Sequence, residues 1–71
     1  MEDRGDLEEL EAMLRIAVED EESEAAAYYK LASMASSGNL RSALRAIADD
    51  SVVHAEVLRG LLRAIERIRA V

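Results

Sequence analysis

The stretch LRSALRAIADDSVVHAEVLRGLLRAIERI, residues 40–68, decides the fold. Within it Leu40, Leu44, Ile47, Ser51, His54, Leu58, Leu61, Ile65 and Ile68 recur at 4-3-4-3 spacing, which keeps all of them on one stripe of an α-helix. All are Leu or Ile except Ser51 and His54, which sit together at the middle. His54 is also the only histidine in the chain. A stripe that fills a core so regularly and then places its one imidazole at the centre marks a candidate site.

Upstream, Leu7, Leu10, Leu14, Ala17/Val18, Ala25, Tyr28/Tyr29, Ala32 and Ala35 continue a helical periodicity with no breaker before Ser36-Ser37-Gly38-Asn39. Asp6 and Glu9 fit a capping box at the start. Gly38 suits the left-handed position after a helix, and Asn39 suits the N-cap of the next one. The expected elements are a helix over about 7–36, a turn at 37–39 and a helix over about 40–69, all within one domain of 71 residues. A short turn makes the helices antiparallel neighbours. Two helices cannot enclose a core, and Val52, Val53, Val57 and Leu62 widen the apolar stripe beyond one seam. The expected fold is therefore all-α, an antiparallel two-helix hairpin that homodimerises, or assembles further, into a four-helix bundle.

Composition narrows the function. The chain has no Cys, Pro, Trp or Phe, so thiolate metal sites and disulfides are excluded. A net charge of -6 argues against nucleic acid as partner. No apolar run is long enough for a membrane span, and the acidic start does not read as a signal peptide. The chain reads as soluble and cytoplasmic. Residues 19–24, EDEESE, concentrate acid, and Arg59, Arg63 and Arg67 share a helix face suited to pairing with acids on a neighbouring helix, the alternative being a phosphate or anionic-surface contact.

With Gly38 taken as the turn, Glu22 lies 16 residues before it and His54 16 after it, at one height. Glu22 falls in an inward series with Leu14, Val18, Ala25, Tyr29 and Ala32, although Glu21 beside it competes for that place. A buried carboxylate needs a cation, a proton or a metal. Glu and His from facing helices suit iron, manganese or zinc, and a twofold bundle would supply two of each. The same two residues also suit a plain buried hydrogen-bonded pair that fixes helix register.

Two segments resemble the motifs of ferritin-like and rubrerythrin-like proteins. In residues 22–32, ESEAAAYYKLA, a Glu is followed by Ala three residues on and Tyr seven on. In residues 47–58, IADDSVVHAEVL, the second motif is similar but carries Ser51 where the family has the Glu of Glu-x-x-His. The resemblance covers about residues 14–62 and is to half-length members, single hairpins that dimerise, such as those housed in encapsulin shells. It implies Glu22 and His54 as metal ligands and Tyr29 beside the metals. Asp50, four residues before His54, is a substitute carboxylate. It further implies iron or another divalent transition metal, and oxidation of ferrous iron by oxygen or peroxide. Loss of the bridging Glu makes this a degenerate dinuclear centre with at most weak activity. The other expectations are a structural or interaction bundle that has lost its metals, and a hairpin docking on a larger protein partner.

Overall fold

The computed structural model describes residues 4–70. These form two helices, α1 (Arg4–Met34) and α2 (Gly38–Ala70), with no strand among the described residues. Ion pairs join Arg69 to Glu8 at one end, and Tyr29 meets Asp49 toward the other, so the helices run antiparallel. The rod measures 52 × 16 × 14 Å. No helix among the described residues is long and apolar enough to cross a membrane.

The boundaries differ from the sequence expectation by a few residues, for identifiable reasons. Asp6 lies inside α1, in its first turn, rather than at the N-cap position; an acid there favours the positive end of the helix dipole. The turn is Ala35, Ser36 and Ser37, not residues 37–39. Gly38 does not adopt a left-handed conformation, since no described glycine has a positive φ. It opens α2 instead. Ser37 is the N-cap: its Oγ accepts a hydrogen bond from the Leu40 amide at 3.0 Å, and its carbonyl accepts one from the Arg41 amide. Asn39 is therefore already helical. α1 ends without a glycine because Arg41 Nη2 reaches back to the Ala35 carbonyl at 3.0 Å, while the Ala35 amide bonds the Ala32 carbonyl. These contacts satisfy groups that a helix end leaves orphaned.

The fully buried positions of the seam between the helices are mostly small residues. On α1 the positions Leu7, Glu11, Leu14, Val18, Glu21, Ala25, Tyr28 and Ala32, continued by Ala35 in the turn, alternate 4-3 and are all buried or half-buried. On α2 the matching series is Leu44, Ala48, Ser51, Ala55, Leu58, Leu62 and Ile65. Among the described residues four of the buried ones are alanines, Ala25, Ala32, Ala48 and Ala55, and no large side chain is fully enclosed.

The expected stripe on α2 is thus half correct. Leu44, Ser51, Leu58 and Ile65 face α1, but Leu40, Ile47, His54, Leu61 and Ile68 are exposed, and Ala48, Ala55 and Leu62 take the inward places. Two overlapping 4-3 stripes share the same four residues. The one containing alanines faces α1 because α1 also presents alanines, which lets the backbones approach closely.

Candidate metal centre

The rotation that buries the alanines gives the hairpin two unlike rims. One is polar. Along it Glu8, Arg15, Glu22 and Tyr29, each seven residues apart, meet partners on α2. Arg15 Nη2 lies 3.3 Å from Glu66, Arg59 Nη2 lies 2.6 Å from Glu22, and Arg69 reaches both Glu11 at 2.7 Å and Glu8 at 3.6 Å. Arg59 thus does pair with an acid on the neighbouring helix. Tyr29 closes this rim toward the turn by donating its hydroxyl hydrogen bond to Asp49. That bond, with some desolvation and the Asp49 charge, raises the Tyr29 pKa above its ordinary 10.0, and Arg45 opposes the shift.

The other rim is apolar with a polar middle. On α2 a complete second series follows 3-4 spacing: Leu40, Ala43, Ile47, Asp50, His54, Val57, Leu61, Ala64 and Ile68. On α1 the corresponding series is Leu10, Met13, Ala17, Asp20, Glu24, Ala27, Leu31 and Met34. Among the described residues, nine of the thirteen exposed large hydrophobics belong to these two series, so this face concentrates the apolar surface the hairpin leaves uncovered. None of the nine Lys and Arg residues occupies a position in either series. The polar groups interrupt both series near mid-length, Asp20 and Glu24 on α1, Asp50 and His54 on α2. Glu21, half-buried in the seam, adds a third acid from α1.

His54 and Glu21 meet there. Nδ1 of His54 lies 3.3 Å from Oε2 of Glu21, with 64% of the His54 side chain accessible. The Nδ1–H tautomer donates this bond and leaves Nε2 as an acceptor. The two residues line a shallow hollow with Val57 and Leu58.

Of the residues selected from sequence, His54 and Asp50 fall on one face, one helical turn apart. Glu22 does not join them: it belongs to the polar rim, against Arg59, beside a groove lined by Ala25, Val52 and Ala55. Tyr29 is on that rim too. Ser51 is buried at 4% exposure in the seam itself. The contact to His54 comes from Glu21. Counting α1 strictly by 4 and 3 from Leu7 selects Glu21, whereas the series leading to Glu22 needs two consecutive steps of four; that irregularity was the available signal. Among the described residues no three carboxylate or imidazole groups of one chain are grouped to hold a metal ion. The donor types, carboxylate and imidazole without thiolate, suit iron, manganese or zinc.

Comparison of the chain with protein-family models, with curated proteins and with solved structures finds no match.

Proposed function

We propose that the chain is half of a ferritin-like bundle, completed by a second copy, that binds a divalent transition metal between the two hairpins. The observation that carries this reading is the Glu21–His54 contact, exposed at the middle of an otherwise apolar face. A second copy packed on that face would withdraw both residues from water. It would also bring two imidazoles together with Glu21, Asp20, Glu24 and Asp50 of each chain. Carboxylates gathered there without a Lys or Arg require a cation or protons, and a divalent metal supplies the charge. The original ligand set then becomes Glu21, His54 and Asp50, with Glu22 left to its ion pair. Any ferroxidase-like chemistry is weak, because Ser51 stands where the resembled family carries its bridging Glu.

Metal analysis tests this directly. Protein purified without chelator, then loaded with Mn²⁺ or Fe²⁺ and desalted, is expected to retain metal. His54→Ala and Glu21→Ala variants are expected to lose most of it, and Glu22→Ala to keep it. Equal, near-zero metal in every sample removes the metal reading.

A second reading is favoured by the burial of Ser51. With a small hydroxyl sealed in the seam, the hairpin packs without any metal, as a structural or interaction bundle would. In that case the unsubstituted chain, although metal-free, still self-associates or captures a larger helical partner through the apolar face.

A further inference from the structure

The outer series of α2 has an internal symmetry that specifies how a second copy docks. Its members lie in pairs equidistant from Val52: Asp50 with His54, Ile47 with Val57, Ala43 with Leu61, and Leu40 with Ala64. We propose that two copies pack α2 against α2 in antiparallel fashion, with the twofold axis crossing each helix at Val52. This rests on the reading above that a second copy completes the bundle, and not on the metal.

Every layer of that arrangement is complementary. Leu40 meets the partner's Ala64 and Ala43 meets the partner's Leu61, so a large side chain faces a small one in each layer. Such alternation lets facing helices interdigitate. Ile47 meets the partner's Val57. At the centre Asp50 meets the partner's His54, and symmetry makes this pair twice; with Nδ1–H given to Glu21, Nε2 donates to Asp50 when the ring carries its second proton. The interface is isologous, as a closed dimer requires, and its matched layers extend over roughly 36 Å of helix.

The alternatives are less consistent. Sliding the partner by seven residues puts Asp50 against Leu61 in one direction and against Ile47 in the other, which buries a carboxylate on a hydrocarbon. A parallel arrangement sets Asp50 against Asp50 and His54 against His54. Docking α2 on the partner's α1 brings Asp50 against Asp20 or Glu24. Of these arrangements, the antiparallel α2 pairing centred on Val52 alone sets large side chains on small ones and carboxylate on imidazole.

The chain has no cysteine, so single cysteines report the register cleanly. A mixture of Ala43→Cys and Leu61→Cys proteins under mild oxidation is expected to form the mixed disulfide dimer. Either variant alone is expected to cross-link at least about tenfold more slowly, because like positions are roughly 27 Å apart along the antiparallel helices.

A charge exchange checks the centre by sedimentation in chelator. Asp50→His alone and His54→Asp alone are each expected to weaken self-association by about tenfold, the scale of a charge-assisted pair. Combining both substitutions in one chain regenerates the pair with its members exchanged, and is expected to restore the affinity to within about threefold of the unsubstituted chain. Cross-linking as fast within one cysteine variant as across the mixture overturns this register. So does an exchanged double variant no tighter than the single ones. Either result leaves a dimer of some other geometry intact. A chain that stays monomeric at all concentrations overturns both this inference and the bundle reading.

Discussion

Glu21 and Glu22 are neighbours in sequence, yet Glu21 lies in the seam and reaches the apolar rim, whereas Glu22 lies on the polar rim. Glu21 contacts His54 at 3.3 Å, and Glu22 contacts Arg59 at 2.6 Å. A helix turns by about 100° per residue, so adjacent positions cannot share a narrow face. The rotation of α1 therefore decides which acid can serve the histidine. The two substitutions should separate cleanly. Glu22→Ala removes one exposed ion pair and is expected to cost about 0.2–1 kcal/mol by urea unfolding, without changing metal retention. Glu21→Ala is expected to change metal retention much more than stability. Equal effects of the two on metal would contradict this division of the rims.

The turn gives a second, local test. Ser37 caps α2 through its hydroxyl, and Asn39 lies within the first turn. Ser37→Ala should destabilise the fold by about 0.5–2 kcal/mol, the usual cost of losing an N-cap. Asn39→Ala should be neutral or slightly stabilising, because alanine is the better helix former. Thermal melts followed by circular dichroism compare the two, and a larger loss for Asn39→Ala would move the cap back to Asn39.

Much of the hairpin could be read from sequence because its signals are periodic and strong. Two helices, one short turn and the approximate matching of heights along them follow from the spacing of Leu, Ile and Ala, and His54 does lie within one residue of the height expected for it. What the spacing alone could not settle was rotation. Leu44, Ser51, Leu58 and Ile65 satisfy two stripes at once, and bulk hydrophobicity favours the one with Ile47, Leu61 and Ile68. The inner seam instead uses Ala48 and Ala55, weakly hydrophobic but small enough for close approach to Ala25 and Ala32. The same rotation carries Glu22 away from His54 and brings Glu21 in. At the turn, two serines, a glycine and an asparagine all have capping propensity, and only the backbone path shows that Ser37 is used.

Gly60 offers a stabilising change. It sits inside α2, and a Cβ added there would meet only the flexible end of Arg63, at an ordinary 3.9 Å. Gly60→Ala should therefore stabilise the chain by about 0.5–1 kcal/mol, chiefly by reducing the freedom of the unfolded state. The midpoint of urea unfolding should rise with little change in slope. A lower midpoint would mean that the assembled protein uses the missing side chain as a point of close approach.

Tyr29 gives a prediction in pH. Its pKa is raised first by the hydrogen bond to Asp49, so the folded chain favours the neutral phenol. The corresponding contribution to stability is present below the ordinary value of 10.0 and is lost as pH rises through the raised folded value. Since Tyr28 is the only other tyrosine, phenolate absorbance in a Tyr28→Phe background reports Tyr29 alone. Its midpoint should lie above 10.0 and move down when Asp49→Ala is added. A midpoint indifferent to Asp49 would show that the two side chains do not stay bonded in solution.

Ser51→Glu brings fold and proposed function into direct opposition. Ser51 is buried in the seam on α2, between Ala48 and Ala55 of the same inward series. A glutamate there must either force the closely packed helices apart or bury its charge, and should cost about 2–4 kcal/mol in chelator. The same substitution restores the Glu-x-x-His pattern of the resembled family, one turn before His54. If the polar middle of the apolar face holds metal, Mn²⁺ or Fe²⁺ should bind the variant and neutralise the new carboxylate. At a hundredfold excess over its dissociation constant the metal would return about 2.7 kcal/mol, through preferential binding to the folded state. Urea unfolding of the unsubstituted and Ser51→Glu proteins, each with chelator and with metal, measures both terms. A variant as unstable with metal as without it would count against the metal reading, and would leave Ser51 as a small residue required by close helix packing.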